Sequence, residues 1–396
     1  MPEPVDALDL ADGARLEIVS DGDHFAVVPM VRDGDWRRAH PGDGTSEALL
    51  TLLSRGSGQH GLFTVRSWTS RAAYGERGVG VDQTNESVIV GDAAVVKWAS
   101  HLEMGPHPAP HRISTLRDAG FTGMPAPWGL ITWRSPAGDE TLVASVDEYL
   151  PGAVDGWTWA VELITSAAQN HLASLETAIT DLGALVAELH AALAGTVSVA
   201  SPHDAARWRD DAMTTLETVC ALPDSASTTV ARSRRDDIED VLEGLGALAG
   251  SPVIDGHGDL HVGQVLRSGG RFVVTDFDGN PVLPVRQRML PIPAALDVAG
   301  MAQSLAHVAI VAKKYTELDP TALAVADTAA RTAFLDAYGS RLAVLGHADL
   351  YDAAALRAFR MQQVLREIVY ATQHLPRWMY VPDAALPALL DERTAP

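Results

Sequence analysis

Residues 254–281 read IDGHGDLHVGQVLRSGGRFVVTDFDGNP and hold most of the side chains in this chain that could do chemistry. Asp259, His261 and Gln264 fall in one turn-like segment, and Asp276 and Asp278 follow an apolar run. Phosphoryl transfer needs two separated kinds of oxygen donor. One accepts the proton of an attacking hydroxyl, and the other holds the magnesium that neutralises nucleotide phosphates. Side-chain oxygens suit magnesium, which keeps several waters and takes its remaining sites from phosphate. Two other readings use the same residues. An Asp in a Gly-rich loop is commonly a turn former. The alternation His257, Asp259, His261 would also suit a hydrolytic metal, although no other His-rich cluster completes such a site.

Local pattern says how these residues are carried. Val265-Leu266 and Phe272-Val273-Val274 are apolar runs on either side of the turn Ser268-Gly269-Gly270. This predicts a loop, a strand, a turn, a second strand and an Asp at its end. Such a hairpin brings its open ends together, so Gln264 and Asp276 are expected to converge on one ion.

The sequence HGDLHVGQ at 257–264, followed by DFDGNP at 276–281, resembles the catalytic core of aminoglycoside phosphotransferase-like kinases. Within them it looks most like the actinobacterial maltokinase and glucosamine kinase group, whose pattern is HGDLHxGQ followed by DF(D/E)GxP. The resemblance covers most of the chain and implies an α+β, two-lobed, protein-kinase-like fold with an N-terminal cap. Residues 1–85 would be the cap, 86–152 the small lobe with its hinge, and 153–396 a mostly helical large lobe. It implies Asp259 as catalytic base and Gln264 and Asp276 as metal ligands, with ATP and Mg2+ as cofactors. The wider superfamily usually has Asn where this chain has Gln264, a departure that favours the maltokinase-like branch.

The nucleotide side is expected upstream. Val88-Ile89-Val90 and residues 93–98 read as two strands joined by a two-residue turn, Gly91-Asp92. Lys97 lies near the end of the second strand and is the only lysine before Lys313. A kinase strand lysine points at the α/β-phosphates; a solubilising edge lysine is the bland reading. There is no GxGxxG loop before it. By the resemblance a short polar loop with Asn85 and Ser87 covers the phosphates instead. The helix expected over 107–120 should offer a Glu to Lys97, but its only acid is Asp118, which leaves Glu103 or a polar group such as His111. Residues 128–133 and 142–149 read as strands, and Glu148-Tyr149-Leu150 before Pro151-Gly152 resembles the adenine-binding hinge.

Residues 14–19, 25–31 and 62–68 read as strands, 33–45 as a loop, and 47–53 as one or two helical turns. Leu182, Leu185, Val186 and Leu189 recur at i, i+3, i+4 and i+7, an amphipathic helix ending at His190, which reads as structural. Residues 225–229 read as a polar linker and 232–248 as one helix. Asp297 either caps the next helix or, by the resemblance, steadies the catalytic loop.

Near the C-terminus Gln363, Arg366, Glu367 and Tyr370 share one helical stretch, and Trp378 follows Pro376. Sugars are bound by aromatic faces with polar groups that fix hydroxyls; a solvated helix face is the bland alternative. The resemblance makes this the acceptor pocket. It assigns substrate contacts to His257, Asp278, Gln363, Arg366, Glu367, Tyr370 and Trp378. An acidic pocket would suit the ammonium of glucosamine, with Glu367 as its contact. DFDGNP at 276–281 and the tail REIVYATQHLPRWMYVPD at 366–383 look more like glucosamine kinase than maltokinase, which implies phosphorylation of glucosamine to glucosamine 6-phosphate. Maltokinase activity is the runner-up, and a nucleotide-binding pseudokinase scaffold the non-enzymatic reading, against which the pair Asp259 and Asp276 speaks.

Bulk properties agree. The 396 residues are 47% hydrophobic and 20% charged, with a formal charge of −21. Strong acidity disfavours nucleic acid and anionic membranes. A single cysteine, Cys220, excludes an intrachain disulfide and fits a reducing cytoplasm. The acidic start lacks a signal peptide's basic and apolar regions, and no apolar run approaches a membrane span in length.

Overall fold

A computed structural model describes the protein over residues 3–22, 24–79 and 86–392. The chain forms two compact units: Met1–Ala153 with Thr275–Leu290, and Val154–Val274 with Pro291–Pro396.

The first unit is built on two antiparallel sheets. Strands β1 (Glu3–Ala11), β2 (Ala14–Ser20), β3 (Phe25–Asp33) and β4 (Asp35–Arg38) pair in chain order. Helix α1 (Thr45–Ser54) follows. The second sheet contains β5 (Gly58–His60), β6 (Phe63–Ser67), β7 (Glu76–Gly78), β8 (Glu86–Val90), β9 (Ala94–Trp98), β10 (Pro127–Arg134) and β11 (Glu140–Glu148). Its order is β5-β6-β10-β11-β9-β8-β7. Helix α2 (Pro108–Asp118) lies between β9 and β10 in the chain.

Three details differ from the sequence reading. The acidic N-terminus is a strand, because Leu8 and Leu10 alternate inward past the exposed Asp9. The stretch 33–45 contains β4, which pairs with the end of β3. The turn between β8 and β9 has three residues, since Val90 pairs with Ala94 and Gly91 takes φ 60. The expected boundary near residue 85 also falls inside one sheet. β5, β6 and β7 lie before it, and one core joins Leu16, Leu49, Phe63, Val96, Trp98 and Trp133.

The second unit is mostly helical. α3 (Gly156–Ser166) and α4 (Leu172–Ala192) are joined by a π turn. Then come β12 (Ser198–Val199), α5 (Pro202–Ala221), α6 (Ala226–Ser233), α7 (Arg235–Glu243) and β13 (Pro252–Val253). The stretch expected as a linker starts α6, because Ser225 and Thr228 close a capping box. The helix expected over 232–248 is broken at Arg234 and ends in a 3-10 turn.

β14 (Val265–Ser268) and β15 (Arg271–Val274) form the expected hairpin, with Val265 paired to Val274. Residues 275–290, with one-turn α8 (Val285–Arg288), belong to the first unit. The second unit resumes with α9 (Ala294–Tyr315), α10 (Pro320–Val344), α11 (Leu356–His374) and α12 (Tyr380–Asp391).

The reading that no apolar run is long enough for a membrane needs correction. Residues 156–196 and α9 each pass that test by length and composition, and half or more of each apolar window is buried in the protein. α9 owes its apolar character to its core position, and it carries the buried polar residues Asp297, Gln303, Ser304 and His307.

Candidate active site

Two groups of polar side chains stand out, one in each unit. In the first, Lys97 projects from β9 opposite Ser145 of β11 and Ser87 of β8. Asp147, two residues beyond Ser145, shares that face of the sheet and is the diagonal neighbour of Lys97. Burial works to lower the Lys97 pKa, but the carboxylates of Asp147, Asp278 and Asp276 outweigh it and hold the ammonium charged. Burial pushes Asp147 up to about 6, against the pull of Lys97 and with the repulsion of Asp278. One cation thus sits among three carboxylates, a charge state suited to a further cation and to anionic phosphate.

The segment carrying those aspartates is held by its backbone. Arg112 of α2 is 3% exposed. Its Nη1 donates to the Phe277 carbonyl at 3.1 Å and its Nη2 to the Arg288 carbonyl at 2.8 Å. Arg288 in turn donates to the carbonyls of Leu283 and Pro281 and pairs with Glu103 at 2.9 Å. Phe277 is buried between the exposed Asp276 and the half-buried Asp278. Asp276 takes φ 66, the left-handed region that Asp tolerates better than most residues. Such conformations persist where the surroundings enforce them, and functional sites are where they cluster.

These contacts settle where the expected partners went. Glu103 is committed to Arg288, and α2 contributes an arginine to the aspartate segment. The carboxylate beside Lys97 on the sheet is Asp147. Sequence reading missed it because a strand's diagonal neighbour is set by register.

In the second unit the catalytic loop lies against one face of α9. Asp297 is fully buried; its Oδ2 accepts from the His257 amide at 2.7 Å and its Oδ1 from the Gly258 amide at 2.8 Å. Burial opposes ionisation of Asp297, but His190, His257 and the Gly258 amide outweigh it and lower its pKa. His190 Nε2 lies 3.3 Å from Oδ2, and its Nδ1 lies 2.8 Å from the Tyr338 hydroxyl. His190 is therefore structural, as expected, and Asp297 supports the loop.

One and two turns further along α9, the loop backbone is met again. A Cβ at Gly300 would stand 2.4 Å from the Leu260 carbonyl, so only glycine admits this approach. Ser304 Oγ accepts from the Val262 amide at 3.0 Å. From α3, a Cβ at Gly156 would stand 1.7 Å from the Val262 carbonyl.

Within this frame Asp259 is part-buried. Its amide donates to His257 Nδ1 at 3.3 Å. His261 Nδ1 accepts from the Gly263 amide at 3.0 Å, which leaves its Nε2 to carry the proton, 3.9 Å from Asp259 Oδ2. Gln264 closes the following 3-10 turn, directly before β14. Among the described residues no group of three or more His, Cys, Asp or Glu forms a metal cage.

The polar face of α11 belongs to the same unit. Gln363 Nε2 donates to Glu367 Oε1 at 3.0 Å. Burial, and then the charge of Asp259, push Glu367 up to about 8, while Gln363 works against them. Burial lowers Arg366, against the carboxylates of Asp211 and Asp259. Asp259, Arg366 and Glu367 thus share one electrostatic environment.

The remaining expected residues divide. Trp378 packs edge-on against Trp157 with centroids 5.2 Å apart. Tyr370 is 47% exposed and lies over His374. His257, expected at the substrate, is fully buried and serves the loop's own backbone. Asp278, also expected there, acts on Lys97 and Asp147. Glu148 ends β11, and the first unit closes at Ala153, just past Tyr149, Leu150 and Gly152. Asn85 lies outside the described residues.

Comparison with known proteins gives this geometry its setting. No protein-family model matches the chain. A glucosamine kinase of Mycolicibacterium smegmatis is 64% identical over 397 residues, covering 99% of both chains. A glucosamine kinase of Streptacidiphilus jiangxiensis is 46% identical, covering 99% of this chain and 92% of its own. A solved glucosamine kinase in complex with glucosamine, ADP and inorganic phosphate is 43% identical and superposes with a TM-score of 0.89 over 98% of this chain and 94% of its own. Another glucosamine kinase crystal form reaches 0.91 over 99% of this chain. With identity this high over the whole length, on a shared fold, the chain belongs to the glucosamine kinase family.

Proposed function

We propose that the protein transfers the γ-phosphoryl group of ATP to a hydroxyl of glucosamine, giving glucosamine 6-phosphate and ADP. The observation that carries this is Asp259. It follows the His257 and Gly258 amides that Asp297 holds, and it shares one electrostatic environment with the carboxyl of Glu367. Asp259 accepts the proton of the attacking hydroxyl, with His261 Nε2 3.9 Å from its Oδ2. Glu367 reads the sugar's amino group, with Gln363 holding one of its oxygens. Arg366 and Trp378 complete the acceptor side.

Lys97 steadies the phosphates, with Ser87 beside it on β8. In the hinge, the Glu148 amide donates to Ala126, the Tyr149 amide to Ala93 and the Ala153 amide to the Leu150 carbonyl, so the Leu150 amide is the donor assigned to adenine. Gln264 and Asp276 offer the hard oxygen donors that magnesium takes, and the ion, when bound, neutralises phosphate charge. On this reading the acidic chain acts in the cytoplasm on a small sugar.

An ATP-consumption assay over glucosamine, glucose and maltose tests the proposal. Glucosamine is expected to be turned over with the highest kcat/KM. Equal activity on maltose, or ATP binding with no transfer to any sugar, would overturn it.

A further inference from the structure

Behind Glu367 the second unit buries a run of polar side chains that the reaction does not use. Gln303 and His307, one turn apart on α9, are each 1% exposed, and Arg360 of α11 is 6% exposed. Arg360 Nε donates to Gln303 Oε1 at 3.0 Å. Gln303 Nε2 lies 2.9 Å from His307 Nε2. His307 Nδ1 lies 3.3 Å from Glu367 Oε2. Among the described residues Oε2 is buried and completes no hydrogen bond of good geometry in this state. At the far end Glu392 grips Arg360 with both oxygens, at 2.6 and 3.0 Å, and Arg331 with one at 2.9 Å.

The chemistry of these groups gives the chain one direction. Arginine can only donate, so the Gln303 oxygen must face Arg360 and its amide must face His307. His307 Nε2 must then accept, which puts the ring proton on Nδ1, facing Glu367. Burial, with the charges of Arg360 and His261, pushes His307 down to about 3, so the ring is neutral and holds a single proton. A buried polar chain of this kind costs more than an apolar one of the same shape, which makes its retention informative.

We propose that Arg360, Gln303 and His307 are positioning residues for the acceptor, which present the His307 Nδ1–H to Glu367 Oε2 and so aim the Glu367 carboxyl at the sugar's amino group. The proposal rests on the reading of Glu367 as the amine contact and extends it. When an ammonium meets Glu367, the carboxylate it requires has the His307 Nδ1–H as a donor 3.3 Å from Oε2.

The test uses the full chain, with steady-state kinetics on glucosamine and on glucose. His307→Leu removes the Nδ1 donor, and His307→Asn keeps an amide donor at that position. A hydrogen bond to a charged group sets the scale. His307→Leu should raise the glucosamine KM on the order of 10-fold, with the ATP KM and kcat within about threefold and glucose kinetics unaffected. His307→Asn should recover the glucosamine KM to within about threefold of the parent. Glu367→Gln should raise the glucosamine KM by itself, and adding His307→Leu to it should add little, because the two act as a unit. Should His307→Leu fail to fold, Gln303→Met breaks the same chain at a distance and should give the same KM shift. Equal losses in the Leu and Asn variants would mean that His307 only packs, and would overturn the proposal. An unchanged KM in His307→Leu or Gln303→Met beside a raised one in Glu367→Gln would overturn the chain and leave the Glu367 reading standing. An unchanged KM in Glu367→Gln would remove both.

Discussion

The polar group around Lys97 in the first unit and the one around Asp259 in the second manage buried polarity in opposite ways. Around Lys97, charge is compensated by charge: one ammonium lies among Asp147, Asp276 and Asp278, and two arginines hold the backbone of the aspartate segment. Around Asp259, polarity is compensated by directional hydrogen bonds. Asp297 takes two loop amides, His261 turns one ring nitrogen to its own loop, and neutral His307 faces a carboxyl that burial keeps protonated. The difference matches what each group is proposed to hold. Polyanionic phosphate and its metal need a reservoir of fixed charge. A sugar needs groups whose donor and acceptor sense is settled in advance, because a mismatched hydroxyl or amine is then rejected strongly.

The largest test of this contrast is in the hydrogen-bonding group. Asp259→Asn should keep the ATP KM and lose on the order of 10²–10⁴ in kcat. Near-normal turnover in a folded variant would move the chemistry elsewhere. In the charged group, Lys97→Met should lower kcat/KM for ATP on the order of 10²-fold while leaving the glucosamine KM close to the parent value. An equal rise in both KM values would show that the two groups are not separable in this way.

A smaller effect is expected from packing. Gly300→Ala forces a methyl group against the Leu260 carbonyl, 2.4 Å away. It should cost about 1–3 kcal/mol of stability by denaturant unfolding, with a parallel loss of kcat. Unchanged stability would mean that the loop can leave α9 without penalty.

The smallest effect is on pH dependence. Glu367 rises to about 8 from its ordinary 4.5, so the folded protein keeps a proton that the unfolded chain has released. Stability from this group therefore falls as pH rises between those values. His307 falls to about 3 from 6.5, so the unfolded chain binds a proton that the folded one refuses, and stability rises with pH over that range. The two oppose each other between 4.5 and 6.5, and above that Glu367 acts alone. Glu367→Gln should thus lose less stability than the parent between pH 6.5 and 8, read as the shift in denaturation midpoint. Parallel curves would place Glu367 in a more solvated setting.

Much of the frame was legible along the chain. The β14–β15 hairpin, the β8–β9 pair bearing Lys97 and the amphipathic α4 each come from residues close in sequence. β1 was not, because its alternating Leu and Asp read only as an acidic start until the strand pairs with β2. The loop's support was half legible. Asp297 was expected to steady it, but the Asp297, Gly300, Ser304 face becomes visible only once the loop lies on α9. The partners of Lys97 and of Glu367 were not legible. Asp147 and His307 reach them across a sheet register and a helix pair.

By itself the sequence determined which groups are available and in what local order: a base-bearing turn, an amide, a hairpin and an aspartate, because turn and strand preferences act over a few residues. Only the tertiary structure decided what each group faces. Charge state and donor direction depend on neighbours through space and on exclusion of water, and neither is a property of adjacent residues. That is why Asp297 ionises while Glu367 holds its proton, although both carry the same functional group.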